Sequence, residues 1–162
     1  MRANRPRRVL FVCTGNSARS QIAEALLNHK GAGRFAAESA GSRPAARVSP
    51  VAVEVLREVG IDWSGRTPRT VEGLENEAWD LVITVCDRAK QSCPLFLGSA
   101  AVAHWGLPDP AEALGDDAAK RQAFRETRRE LERRLDQLLA LPVERMDRDA
   151  LAAAVEAIAT GG

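Results

Sequence analysis

The chain has 162 residues, 45% of them hydrophobic and 28% charged, with a formal net charge of +1. A sequence of this size folds as one domain and buries roughly 70% of its unfolded surface without disulfide staples, and a charge so close to neutral gives no reason to expect a nucleic acid partner. The basic cluster Arg2, Arg5, Arg7, Arg8 is followed by an apolar run too short for a signal peptide or a membrane span, and three cysteines, an odd number without an export signal, point to reduced thiols in a cytoplasmic protein.

Residues 1–7 read as a solvated basic tail. Val9-Leu10-Phe11-Val12 is then a continuous apolar run, β-branched and aromatic, as expected of a parallel strand covered on both faces. Ile22, Ala23, Leu26 and Leu27 recur at helical spacing up to Gly31, so a helix is expected over Ser17–Lys30, with Cys13 on the turn before it. Phe35–Ala40 reads as a second strand closed by a turn at Gly41. Ser49 and Pro50 supply an N-cap and a first-turn proline for a helix carrying Val51, Val55, Leu56 and Val59 on one face and stopped by Gly60. Ile61–Arg69 is a loop, and Thr70–Ala78 a brief glutamate-rich helix.

Asp80–Val85 is the next buried strand and delivers Cys86 at its end. Val102–Leu107 forms a last short strand leading to Asp109. From Asp116 to about Leu141, Phe124, Thr127, Leu131, Leu135 and Leu138 step by three and four, the pattern of a long amphipathic helix. After Pro142, Leu151, Val155 and Ile158 mark a helix over Asp149–Ala159 within an extension of residues 142–162. An extra helix packed on the domain, a dimer contact and a frayed tail all remain open for it. Alternating strands and helices predict a single-domain α/β fold, an open parallel four-stranded sheet flanked by helices. Ligands bind such sheets beyond the C-terminal ends of the strands. Cys13, Cys86 and Asp109 all fall at that edge.

Two constellations carry chemistry. In Cys13-Thr14-Gly15-Asn16-Ser17-Ala18-Arg19-Ser20 a thiol sits where a strand passes into a helix, whose unpaired N-terminal amides and positive dipole end bind oxyanions and favour a thiolate. Arg19 adds a fork-shaped cation and Ser20 a hydrogen bond to the sulfur. Asn16 shapes the loop. The second, Cys86 to Cys93, places two thiols seven residues apart with Arg88 and Lys90 between them. On a continuous helix they would share a face at a rise of about 10.5 Å, beyond the roughly 7 Å between Cα atoms that a disulfide spans. They pair only if the segment bends, or they are two unrelated small core residues. Cys86 and Cys93 lack the Cys-x2-Cys spacing of a structural zinc site, and His29 falls on a distant helix.

Three motifs in order, Cys-Thr-Gly-Asn-Ser-x-Arg-Ser, Thr-x-Cys-x6-Cys-Pro and His104-Trp105-Gly106-x-x-Asp109-Pro110, resemble the thioredoxin-coupled arsenate reductases built on the low-molecular-weight protein tyrosine phosphatase fold. The resemblance runs from about Arg8 to Leu141, setting out a domain of residues 8–141. It implies that Cys13 is the nucleophile, that Arg19 and the amides of Thr14, Gly15, Asn16, Ser17, Ala18 and Ser20 hold arsenate, and that Asp109 is the general acid. It further implies a relay in which Cys86 attacks Cys13 to release arsenite, and Cys93 then attacks Cys86. Thioredoxin, or glutaredoxin, would reduce the resulting disulfide in a monomer with no bound cofactor. His104 and Trp105 read as packing around the acid loop. Asn16, Glu24 and Ser39 match part of a potassium site that some relatives carry, but Arg69 stands where its acidic ligand is expected and would itself supply the positive charge. Two other readings share these residues. One is a low-molecular-weight protein tyrosine phosphatase, although the chain has no tyrosine to follow Asp109-Pro110. The other is a non-catalytic thiol protein that binds arsenite or senses oxidants.

Overall fold

A computed structural model describes residues 5–85 and 100–160, so Cys86, Cys93 and the segment between them lie outside the described residues. The sheet is built from β1 (Arg7–Cys13), β2 (Phe35–Gly41), β3 (Leu81–Thr84) and β4 (Ala101–His104), all parallel in the order β2-β1-β3-β4. β1 is the centre: Val9, Leu10, Phe11 and Val12 have no exposed surface, as the uninterrupted apolar run requires when both faces are covered. The helices are α1 (Arg19–Lys30), α2 (Pro50–Arg57), α3 (Asp117–Leu139) and α4 (Arg148–Thr160). α1, α2 and α3 pack on one another, while α4 packs on β4 and α3. No helix among the described residues is long and apolar enough to cross a membrane.

Several expected boundaries move, each for a physical reason. β1 takes in Cys13 because its peptide stays in register with Gly41 of β2. α1 begins at Arg19, not Ser17, because residues 14–18 form a loop in which Asn16 has φ of +52°. α2 stops at Arg57, and the amide of Ile61 closes its end on the Leu56 carbonyl across Gly60, whose φ is +83°. The helix expected over Thr70–Ala78 is reduced to a 3-10 turn, Leu74–Asn76. Thr70 is instead bridged to Gly41, and Gly73 at φ +85° turns the chain before a helix can start. β4 is placed over Ala101–His104, shorter at its C-terminal end than the expected Val102–Leu107.

Part of the basic N-terminus has partners rather than being solvated. Arg5 makes two 2.8 Å bonds to the Asp80 carboxylate, and Arg7 already belongs to β1. Arg8 binds Glu38 and Glu77 and lies 4.1 Å over the Trp79 ring. At the far end of α3, the Arg34 guanidinium donates to the carbonyls of Leu139 and Leu141, each at 2.6 Å, and pairs with Glu144. That contact satisfies carbonyls a helix end leaves unpaired and fixes the connection into α4. Leu151, Val155 and Ile158 of α4 are buried against the domain.

Candidate active site

The fold places Cys13 at the C-terminal end of the central strand, under the loop of residues 14–18 that feeds α1. The loop carbonyls are tied outward. Cys13, Thr14, Gly15 and Ser17 accept from the amides of Ser42, Arg43, Ala45 and Ser49 at 2.8–3.2 Å. In a trans peptide the N–H points opposite to the C=O, so this tethering turns the loop's amides away from the 42–49 segment. The Asn16 amide accordingly points at the Cys13 sulfur, 3.2 Å away.

Asn16 has no exposed surface and organises what lies beneath the loop. Its Oδ1 accepts from the Arg69 backbone N–H at 2.8 Å and from Gln21 Nε2 at 3.1 Å. A backbone amide can only donate, so the orientation of the Asn16 side chain is fixed. Its Nδ2 therefore donates to Ser20 Oγ at 2.8 Å and to Ser39 Oγ at 2.9 Å. Ser20 Oγ lies 2.8 Å from Cys13 Sγ, and toward a Cys13 thiolate, which can only accept, the hydroxyl is the donor. Two donors thus converge on the Cys13 thiolate at a helix N-terminus, and donors and helix terminus both stabilise the charged form.

The cleft above the sulfur holds about 380 Å³ and is lined by residues 13–19, Leu107, Asp109, Ala111 and Glu112. Arg19 Nη1 donates to the Leu107 carbonyl at 2.9 Å, and Nη2 lies 3.6 Å from Asp109 Oδ2. The second Asp109 oxygen accepts from the Ala111 amide at 3.0 Å, capping the short turn Pro110–Glu112. Cys13, the loop of residues 14–18, Arg19 and Asp109 therefore meet at one cleft, and Ser20 reaches the sulfur from beneath it. Cys86 and Cys93 fall outside the described residues. Val85, which precedes Cys86, donates its amide to the Val12 carbonyl, so the chain leaves the described region beside Cys13.

Below the loop, Ser39 Oγ donates to Glu24 Oε1 at 2.6 Å. Burial pushes the Glu24 carboxyl up, against the lowering effects of the Ser39 bond and of Arg66 and Arg69. The guanidinium that approaches Glu24 is that of Arg66, at 3.9 Å, while Arg69 Nη1 binds Glu38 at 2.6 Å. Arg69 therefore bears on Glu24 through its charge and without direct contact. Among the described residues no group of three or more His, Cys, Asp or Glu side chains is placed to hold a metal.

His104 and Trp105 have partners that the sequence does not announce. Two of these are on α4: the Trp105 indole donates to the Val155 carbonyl, and the His104 amide to Glu156 Oε1, both at 2.8 Å. Two contributors had gone unassigned. Gly41 abuts the loop so closely that a Cβ there would lie 2.5 Å from the Thr14 oxygen, and Gln21 links Asn16 to the Trp63 indole. A glycine ending the strand next to the nucleophile's own strand was the available signal for the first.

Comparison with known proteins places this geometry. The family model of low molecular weight phosphotyrosine protein phosphatases matches residues 8–152. An arsenate reductase of Halalkalibacterium halodurans is 39% identical over 127 residues, covering 78% of this chain and 91% of that protein. A glutaredoxin arsenate reductase of Synechocystis sp. is 34% identical, over 83% of this chain and 97% of that protein. Among solved structures, an arsenate reductase in its phosphate-binding state superposes with a TM-score of 0.70 at 34% identity, covering 83% of this chain and 97% of that one.

Proposed function

The chain belongs to the low molecular weight phosphotyrosine protein phosphatase family as a homologue of its arsenate reductases, and on that premise we propose that it reduces arsenate to arsenite through Cys13, Cys86 and Cys93. The observation that carries the proposal is one cleft lined by Cys13, the loop of residues 14–18, Arg19 and Asp109, with Ser20 Oγ and the Asn16 amide on the Cys13 sulfur and Arg19 facing Asp109.

The Cys13 thiolate attacks arsenic while Arg19 and the loop amides hold the oxyanion. One oxygen leaves as water with a proton supplied by Asp109, giving a Cys13–arsenic adduct. Cys86 thiolate then attacks the Cys13 sulfur. The sulfur–arsenic bond breaks with its electron pair remaining on arsenic, so arsenic leaves as As(III) and the two sulfurs are oxidised to a Cys13–Cys86 disulfide. Cys93 attacks Cys86, expels the Cys13 thiolate and leaves a Cys86–Cys93 disulfide. An external dithiol returns it to two thiols.

Thioredoxin is the proposed reductant, on the resemblance of the middle motif; the Synechocystis relative is named for glutaredoxin, which makes the two worth separating. Arsenite formation from arsenate is measured with thioredoxin, thioredoxin reductase and NADPH, and in parallel with glutaredoxin and glutathione. Turnover with thioredoxin alone supports the relay as written, and turnover only with glutaredoxin changes the partner. Neither, together with hydrolysis of phosphate esters, moves the assignment to the phosphatase reading, for which Cys13, Arg19 and Asp109 suffice.

A further inference from the structure

Among the described residues β4, four residues long, is an edge strand, paired to β3. The amides of Ala101 and Trp105 point inward to the carbonyls of Asp80 and Thr84, so by the alternation of a strand those of Val102 and His104 point outward. An unpaired outward amide is the weak point of such an edge. α4 covers it. Glu156 Oε1 accepts the His104 N–H, and the Val155 carbonyl accepts the indole N–H of fully buried Trp105. Both contacts come from beyond residue 152, where the family match ends.

From Trp105 the path to the cleft is short. The Leu107 amide donates to the Val85 carbonyl, and the Leu107 carbonyl accepts from Arg19, which faces Asp109. His104 is also tied across the sheet, its Nδ1 lying 2.6 Å from Thr84 Oγ1. We propose that α4 is a brace for the acid loop: through Glu156 and the Val155 carbonyl it fixes His104 and Trp105, and so holds Leu107, Arg19 and Asp109 in their working arrangement. The proposal rests on the reductase reading, because that reading gives the arrangement its work. Glu156 and Trp105 are positioning residues, since neither lines the cleft. The brace reaches β4 from its C-terminal side. It therefore holds the acid loop by contacts that do not pass along the chain from Cys86 and Cys93, the thiols whose bonding the relay changes.

The test uses full-length Glu156→Ala, Glu156→Gln and Trp105→Phe proteins. Glutamine keeps an acceptor oxygen for the His104 amide, and phenylalanine keeps a ring but removes the indole donor. Amide hydrogen exchange over residues 101–109 is read without substrate, and steady-state arsenate reduction supplies kcat and KM. Glu156→Ala and Trp105→Phe are expected to speed exchange at His104 to Leu107 and to lower kcat about fivefold, the scale of one lost hydrogen bond, with KM for arsenate unchanged. Glu156→Gln is expected to restore both. Unchanged exchange in both Glu156→Ala and Trp105→Phe overturns the brace, and so does faster exchange with wild-type kcat, since the loop would then need no holding. Turnover of the wild-type protein decides the reductase reading separately, because the exchange measurement uses no arsenate.

Discussion

Replacing Gly41 by alanine tests whether the loop over Cys13 is held at its exact height by the neighbouring strand. The added Cβ would lie 2.5 Å from the Thr14 carbonyl oxygen and 3.0 Å from the Asn16 nitrogen. Gly41 does not occupy the left-handed region, so alanine adopts its backbone angles without strain and the whole effect is contact. Ordinary separation of such atoms is about 3.5 Å, so the loop or the strand must give by about 1 Å. The strand resists, because Gly41 is paired with Cys13 in the sheet and bonded to Arg69 and Val71 on its other side. Most of the displacement therefore passes to residues 14–16. Overpacking of this kind costs about 1–3 kcal/mol, and a misplacement near 1 Å at reacting groups costs about 10²-fold in rate. Urea unfolding and kcat/KM for arsenate measure the two effects. Gly33→Ala is the control: its φ of +85° penalises alanine, but nothing lies within 4 Å of the added carbon. It should lose about 1 kcal/mol of stability and keep its activity. A folded Gly41→Ala protein with wild-type kcat/KM would refute the claim that the strand sets the loop.

Three further outcomes are expected. In a Cys86→Ser, Cys93→Ser background, Ser20→Ala should raise the pH midpoint of Cys13 alkylation by about one unit, because a hydrogen bond to a charged partner is worth about 1.5–3 kcal/mol and the Asn16 amide remains; an unmoved midpoint argues that Ser20 does not donate to the sulfur. Cys93→Ser should release about one arsenite per protein and then stop under thioredoxin, while phosphate ester hydrolysis measured without arsenate, where Cys13 stays reduced, is retained; sustained turnover would remove Cys93 from the relay. Arg125 and Arg128 hold the Glu58 carboxyl down at about 2, below its ordinary 4.5. A depressed folded pKa stabilises the fold above the unfolded value and loses that contribution as pH falls through the folded one. The stability gap between wild type and Glu58→Gln should therefore be present at neutral pH and close between about pH 4.5 and 2; a gap that persists at the acid end contradicts the ion-pair account.

What could be read from the sequence was whatever depends on near neighbours along the chain. The run Val9–Val12 identifies a central strand because both faces of such a strand meet protein, and Cys13-x5-Arg19 identifies the loop because the nucleophile and its cation are carried on one turn. Asp109 followed through its place after the last strand and through the resemblance carried by His104-Trp105-Gly106-x-x-Asp109-Pro110. Misreadings arise where the partner is distant. Thr70–Ala78 has the composition of a helix, but the pairing of Thr70 with Gly41 takes its first residue and Gly73 breaks the rest. Arg5 and Arg8 read as solvated because nothing near them in sequence announces Asp80, Glu38 or Glu77. Trp105 reads as packing near the acid loop, and only the fold reveals that its indole finds a carbonyl fifty residues on.

The hydrogen bonds beneath the loop serve the proposed relay at both of its ends. Donors aimed at Cys13 stabilise its thiolate, and a thiolate of lower pKa is a weaker nucleophile toward a given centre while being a faster leaving group. In the first step Cys13 must attack, and the cleft compensates for the lost nucleophilicity by holding the oxyanion against the sulfur. In the last step Cys13 must be expelled when Cys93 attacks Cys86, and there the same donors act directly on the departing charge. Ser20→Ala should therefore slow the resolution of the Cys13–Cys86 disulfide even where it leaves the rate of adduct formation little changed. Rapid-quench trapping of thiols during a single turnover separates the two, with the Cys13–Cys86 species accumulating in the variant. If it does not accumulate while adduct formation slows, the donors serve the attack and not the departure.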